Sequence, residues 1–179
     1  MHVLVVCTGN ICRSPTAERL LVARAAELGV VGLTVGSAGT WAVVGYGMEA
    51  TARDVLAELG GDPAQFRARQ LTPTLVDGAD LVLAMTTRHR DRVLAESPRA
   101  MRRTFTLLEA ERLLAVPTDE VGLPARLVTA RGLQPLERHN DDVVDPIGEP
   151  RALFEDVGRQ IDHAITALAQ ALAQHQIEP

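Results

Sequence analysis

Aromatic side chains are scarce, at 3% of 179 residues, with one Trp, one Tyr and three Phe. A core built from this chain must therefore be aliphatic and alanine-rich, drawn from the 46% of residues that are hydrophobic, an ordinary share for a globular protein. Cysteine occurs only at Cys7 and Cys12. So close a pair is a poor structural staple, which argues against a disulfide-held secreted scaffold and for a reducing compartment, the cytoplasm. No apolar run is long enough to cross a bilayer, and the start lacks the basic and apolar regions of a secretory signal. Long charge blocks are missing too. The net charge of −5 is the reverse of the basic footprint that nucleic-acid binding requires. The histidines, His2, His89, His139, His163 and His175, are scattered without H-x3-H spacing or clustered Cys and Asp, so no metal or other cofactor is expected. There are no repeats and no low-complexity linker, and one domain over residues 1–179 is the expectation at this length.

What is present begins with Val3-Leu4-Val5-Val6, an apolar and mostly β-branched run that reads as a buried strand. It ends at Cys7. The short polar loop Thr8-Gly9-Asn10-Ile11-Cys12 follows, and then Arg13-Ser14-Pro15 opens a helical pattern, with Ser14 read as N-cap and Pro15 as the first helical residue. Strand, tight loop and helix N-terminus make an anion site, because loop amides and the positive end of a helix dipole converge. A thiol placed there beside the Arg13 guanidinium has its thiolate favoured and is nucleophilic. Arg13 offers a planar fork for two oxygens of a tetrahedral oxyanion. A nucleophile beneath a phosphate-shaped cradle points to phosphoryl transfer through a covalent thiophosphate, with the amides of Thr8 to Ser14 and Arg13 holding the non-bridging oxygens. Asn10 tolerates the positive φ that a strained loop demands. An aryl or alkyl oxide leaves poorly without a proton, so a general acid is required. Asp145-Pro146 is the preferred candidate, since proline restrains the loop, with Asp141 and Asp142 as competing neighbours.

The rest of the chain alternates strands and helices. Thr16–Leu28 is amphipathic and stops at Gly29; Leu33–Ser37 reads as a second strand, where Gly36 suggests close backbone approach. The loop 40–47 carries Trp41 and Tyr46. A helix over Met48–Leu59 stops at Gly60-Gly61, and Thr72-Pro73 caps a short one. Asp80–Met85 reads as a strand buried on both faces. Helices are expected over Thr86–Glu96, Leu107–Leu114, Leu123–Arg131 and Arg151–Gln174, with a strand at Arg102–Thr106. His89, beside Arg88, Arg90 and Arg92, reads as part of a solvated helix face, with charge at a substrate rim as the alternative. The pattern predicts an α/β fold, a parallel sheet covered by helices on both faces, with the ligand at a switch point at the carboxyl end of the first strand.

Cys7 to Pro15, C-T-G-N-I-C-R-S-P, resembles the phosphate-binding loop of the low-molecular-weight protein tyrosine phosphatases, whose arsenate reductase relatives share the fold. Further matching pieces arrive in the family's order: Thr16-Ala17-Glu18, Ser37-Ala38-Gly39-Thr40, Ala68-Arg69-Gln70-Leu71, Ala79 to Met85, and Asp145-Pro146. The stretch 116–142 is the least similar and reads as an insertion or a lid. The resemblance implies a single three-layer domain with a four-stranded parallel sheet in the order 2-1-3-4. It also implies Cys7 as nucleophile, Arg13 as phosphate ligand, Asp145 as general acid and base, and Ser14 as the hydroxyl that eases departure of the thiolate. Asn10 would pair with Ser37. Cys12 would form a reversible disulfide with Cys7, or serve only as a small packing residue.

Two departures stand out. The family's D-P is usually followed by aromatics, but here Ile147-Gly148 follow, and Trp41 and Tyr46 are the candidates to replace that wall. Phe66 stands where many members have a histidine. Ile11 occupies the position where the related arginine phosphatases carry threonine, and an apolar side chain there favours an aromatic ring over a charged guanidinium phosphate. The expected function is hydrolysis of phosphotyrosine in proteins, opposite a cognate tyrosine kinase. The alternatives are a phosphatase of small phosphomonoesters, an arsenate reductase using a low-molecular-weight thiol, or a phosphate-binding module without turnover. Thioredoxin-coupled arsenate reduction needs a further cysteine pair that this chain lacks.

Overall fold

The computed structural model describes residues 1–135 and 139–177, with side chains described as far as 174. Part of the 116–142 stretch and the His175 side chain therefore lie outside the described residues. Strands β1 (His2–Cys7), β2 (Thr34–Gly39), β3 (Leu81–Ala84) and β4 (Thr104–Thr106) form a parallel sheet, as the strand–helix alternation predicts, in the order β2-β1-β3-β4 that the family resemblance implies. Successive side chains of β1 point to opposite faces. Val3, Val5 and Cys7 enter the larger core with Leu20 and Leu21 of helix α1 (Arg13–Glu27). Helix α7 (Arg151–Ile177) adds Ile161 and Ile165 to that core, and α5 (Leu107–Leu114) adds Leu107 and Leu113. Leu4 and Val6 enter a smaller core with Val76 of α3 (Pro73–Asp77) and Val93 of α4 (Thr87–Glu96). Helices thus cover both faces. Each fully buried aliphatic side chain of β1 contributes about 1.5–3 kcal/mol relative to exposure, so the strand's carboxyl end is a rigid platform.

Local chemistry explains most of the helix ends. Thr72, Thr86 and Thr106 each accept a backbone N–H at an N-cap, and Thr106 forms a capping box with Glu109. Helix α2 (Ala50–Glu58) starts behind Glu49, whose carboxylate accepts from the Ala52 amide. Helix α6 (Leu123–Leu133) buries Leu123, Leu127 and Ala130 in the larger core.

Four expectations are corrected. Helix α1 starts at Arg13 with Cys12 at the N-cap and no side-chain cap, so Ser14 is not the cap and Pro15 is not the first helical residue. The serine hydroxyl is drawn instead into the loop. Strand β4 is shorter than Arg102–Thr106, because Pro98–Arg103 winds into a 3-10 helix that the Thr104 hydroxyl closes on the Ala100 carbonyl at 2.8 Å. Strand β2 runs on to Gly39, where an added Cβ would stand 2.4 Å from the Thr8 carbonyl oxygen. Only glycine lets the end of β2 lie against the loop that follows β1. At Gly36 the close neighbour is a side chain rather than backbone: Arg69 Nη2 would lie 2.3 Å from a Cβ there.

Candidate active site

The loop from Thr8 to Cys12 joins β1 to α1 at the sheet's carboxyl edge. Its carbonyls are pulled outward, one after another. Cys7 O accepts from Thr40 N at 2.9 Å, Thr8 O from Trp41 N at 3.0 Å, Gly9 O from Val43 N at 3.0 Å and Ile11 O from Glu49 N at 2.8 Å. Cys12 O accepts from Thr16 N and Thr16 Oγ1. In a trans peptide the N–H points opposite the C=O, and no peptide bond here is cis. The amides of Thr8, Gly9, Asn10, Cys12 and Arg13 are therefore turned inward, and the Asn10 amide donates to Cys7 Sγ at 3.3 Å. The segment 40–49 thus shapes an anion cradle it does not itself line.

Asn10 is buried and holds the turn at φ 54°. Its Nδ2 donates to Ser14 Oγ at 2.9 Å and to Ser37 Oγ at 2.8 Å, and its Oδ1 accepts from the Arg69 amide at 2.9 Å. The Ser37 hydroxyl in turn donates to Glu18 Oε2 at 2.5 Å. Having accepted from Asn10, Ser14 keeps its hydrogen for Cys7 Sγ, 2.9 Å away. Two donors, one hydroxyl and one amide, thus point at the sulfur. Phe66 is buried under the Arg19 guanidinium, and the Asn10–Ser37 pair closes on Glu18 without a histidine.

Arg13 is buried at the loop's end. It donates through Nη1 to the Val143 carbonyl at 3.1 Å and through Nη2 to Asp145 Oδ2 at 2.5 Å. The guanidinium carries five N–H donors, more than those two bonds use. Asp145 is half exposed, facing the cleft. Its neighbours are occupied elsewhere: Asp141 pairs with Arg112 at 2.9 Å, and Asp142 accepts from the Thr87 amide at 2.7 Å.

The cleft over Cys7, about 260 Å³, is lined by Cys7, Thr8, Gly9, Ile11, Cys12, Arg13, Trp41, Val43, Asp145 and Ile147. Cys7, Arg13 and Asp145 therefore meet, and Trp41 and Ile147 line the same cleft. Tyr46 does not line the cleft. It projects into solvent beyond the turn that its amide makes to Val43, while its carbonyl is tied to Ala68. Val43 fills the place instead, a residue the sequence reading passed over. Asn10 and Ser14 lie beneath the cradle rather than in its wall. Cys12 packs its thiol side against Ala52, Val55 and Phe154, and burial, reinforced by Cys7 and Asp145, pushes that thiol up. Both cysteines are free. Among the described residues no group of three or more His, Cys, Asp or Glu converges as a metal would need.

His89 is the residue most misread from sequence. It is 5% exposed, not on a solvated face, and sits under the loop. Thr86 Oγ1 accepts from the His89 amide and is also paired with Nδ1 at 2.8 Å, while Nε2 is paired with Thr8 Oγ1 at 2.8 Å. Burial, reinforced by Arg13, pushes His89 down to about 4. In the unfolded chain the ring binds its proton from about pH 6.5 downward. Between these values the unfolded state holds more protons, so stability falls as pH drops from 6.5 to about 4, by about 3 kcal/mol in total. Urea titrations of wild type and His89→Asn at pH 7 and pH 4.5 should show the wild type losing about 2 kcal/mol more than the variant. Parallel losses would mean that His89 is not held neutral.

A family model described as low molecular weight phosphotyrosine protein phosphatase matches residues 2–124. The chain is 41% identical over 110 residues to a probable low molecular weight protein-tyrosine-phosphatase, EpsP, of Ralstonia solanacearum, covering 62% of this chain and 72% of that one. It is 32% identical over 175 residues to a protein-arginine-phosphatase of Geobacillus stearothermophilus, covering 98% of both. The crystal structure of the Erwinia amylovora tyrosine phosphatase AmsI superposes with a TM-score of 0.73 at 29% identity, over 95% of this chain and 91% of that one.

Proposed function

Since the chain belongs to the low molecular weight phosphotyrosine protein phosphatase family, and is therefore a cysteine-based phosphatase, we propose that it hydrolyses phosphotyrosine in proteins through a phosphocysteine on Cys7. In the first step Cys7 Sγ attacks phosphorus in line, the bond from phosphorus to the tyrosyl oxygen breaks, and Asp145 gives its proton to that oxygen. Arg13 and the inward amides hold the three non-bridging oxygens throughout. In the second step Asp145 takes a proton from water, the water oxygen attacks phosphorus, and the sulfur–phosphorus bond breaks. The Ser14 hydroxyl, already directed at Cys7 Sγ, stabilises the departing thiolate. The Arg13–Asp145 contact keeps acid and phosphate ligand together before substrate arrives.

The observation that carries phosphotyrosine over phosphoarginine is the apolar wall around the cleft. Ile11, Val43, Trp41 and Ile147 surround its mouth, and Asp145 is its single carboxylate among the described residues. Such a wall suits a phenyl ring and offers a guanidinium no carboxylate besides Asp145, which Arg13 already engages. The test is a pair of matched peptides, one phosphotyrosyl and one phosphoarginyl, with small alkyl phosphomonoesters beside them. Wild type should favour the phosphotyrosyl peptide in kcat/KM, and Ile11→Thr should lower that ratio about tenfold, the range expected from one changed pocket contact. Preference for phosphoarginine, or for the small esters, would overturn the assignment.

A tyrosine kinase must supply the substrate, and a reducing compartment, the cytoplasm, is where a free catalytic thiol survives. Among the described residues no helix is long and apolar enough to cross a membrane. The chain acts as one domain, and the core packing of Leu123, Leu127 and Ala130 supports a structural part for α6 rather than a lid. The apolar surroundings of Cys12 support packing as its first role.

A further inference from the structure

A second groove, about 710 Å³, lies beside the Cys7 cleft, with Thr8 and Trp41 lining both. One wall is the Thr40–Trp41 turn. The other is the first two turns of α4, which present Arg88, Asp91 and Arg92. Trp41 stands between cleft and groove with 83% of its surface exposed. A large aromatic side chain left in water at the junction of two concavities is the kind of anchor that carries binding energy in interfaces.

The charge of the groove differs from that of the chain. The protein carries a net −5, yet the groove's lining has two arginines against one carboxylate. Arg92 is drawn back along the helix to Glu96 at 2.9 Å, though more than half exposed, and Asp91 has Arg90 Nε at 3.8 Å. Arg88 is exposed and has no ion pair among the described residues. His89, on the groove floor, is held neutral by its burial and its two threonine partners and adds no charge. The groove is thus an aromatic wall facing a local positive charge, beside the cleft of the nucleophile.

We propose that this groove receives the polypeptide flanking the phosphotyrosine, and that Arg88 selects substrates with acidic residues beside it. The proposal rests on the phosphotyrosine reading and adds the class of protein substrate to it. A phosphotyrosyl ring seated between Ile11, Trp41 and Ile147 sends its chain out over the cleft's rim. On the α4 side that chain meets Trp41 first and Arg88 next. An Asp or Glu there gains the arginine's fork and is steered by its charge; a Lys is repelled. Because the pair is exposed, its effect is modest and depends on salt.

The experiment uses the whole protein and three phosphotyrosyl peptides of equal length, with Asp, Gln or Lys on both sides of the phosphotyrosine. Each rate is normalised to the same protein's rate on phenyl phosphate, which does not reach the groove. Wild type should prefer the Asp over the Lys peptide about fivefold in kcat/KM at low salt, carried mainly by KM, with the preference shrinking at high salt. Arg88→Ala should remove most of the preference, and Arg88→Glu should reverse it. Equal turnover of all three peptides by wild type, or a preference that Arg88→Glu leaves intact, overturns the groove assignment and spares the phosphotyrosine reading. Turnover of phenyl phosphate with none of the three peptides overturns both.

Discussion

Cys7→Ser should lower turnover of aryl phosphates by at least about 10⁴-fold, the scale seen when a covalent nucleophile is removed, while the protein still binds inorganic phosphate. The loss is equivalent to about 5.4 kcal/mol or more of barrier. A serine hydroxyl is a far weaker nucleophile than a thiolate without an adjacent base to take its proton. The groups facing the sulfur here, the Asn10 amide and the Ser14 hydroxyl, donate hydrogen bonds rather than accept protons. Oxyanion binding should survive because the cradle's shape is held from outside. The carbonyls of Cys7, Thr8, Gly9 and Ile11 stay bonded to the 40–49 segment, and Asn10 stays bonded to Ser14, Ser37 and Arg69, whatever atom occupies the sulfur's place. Steady-state kinetics and phosphate titration by calorimetry read the two effects separately. Turnover within tenfold of wild type would end the phosphocysteine mechanism.

Asp145→Asn should cost about 10²–10⁴-fold in kcat on phenyl phosphate and phosphotyrosyl peptides, the usual contribution of a positioned proton donor. The loss should be much smaller for the bond-breaking step with p-nitrophenyl phosphate, whose phenolate leaves without a proton. Burst kinetics on that substrate should show phosphocysteine accumulating, because the same variant lacks the base that activates water. Stability should change little. The Arg13–Asp145 pair is short, but the carboxylate side chain is 48% exposed, so its net worth is on the order of 1 kcal/mol or less. Asp142→Asn makes the contrast. It weakens the cap on the Thr87 amide, and with it the start of α4, and should show no dependence on the leaving group. A uniform loss across leaving groups for Asp145→Asn would remove it as the acid.

Much of this site was legible because its chemistry is contiguous. Val3 to Pro15 carries strand, thiol, loop and arginine within one βα turn, and the signals there are local: a buried β-branched run, a Gly-Asn loop and a helix start. The topology followed from the alternation of strands and helices together with the family likeness. The misreadings have a common cause. Ser14-Pro15 has the composition of an N-cap and first helical residue, but a cap is only one use for a serine hydroxyl. Cys7 Sγ and Asn10 Nδ2, brought close by the loop's fold, claimed it. His89 sat among arginines and looked solvated. The available signal was its spacing from Val93, one helical turn later, which places both on the buried face of α4.

The sequence by itself determined the β1 strand, the loop after it and the thiol and guanidinium at its ends, because neighbours along the chain enforce them. The sequence preferred Asp145 among three late aspartates, but only the tertiary structure shows what keeps the other two away from the cleft. Arg112 holds Asp141 and the Thr87 amide holds Asp142. Val143 is bonded through its amide to the Met85 carbonyl and through its carbonyl to Arg13, and this carries the backbone across the end of the sheet and leaves Asp145 over the cradle. The same holds for the rim, where Val43 faces the cleft and Tyr46 does not. These choices depend on hydrogen bonds between residues far apart in the chain, as between Arg13 and both Val143 and Asp145, 130 and 132 positions away, and no local pattern encodes the contacts themselves.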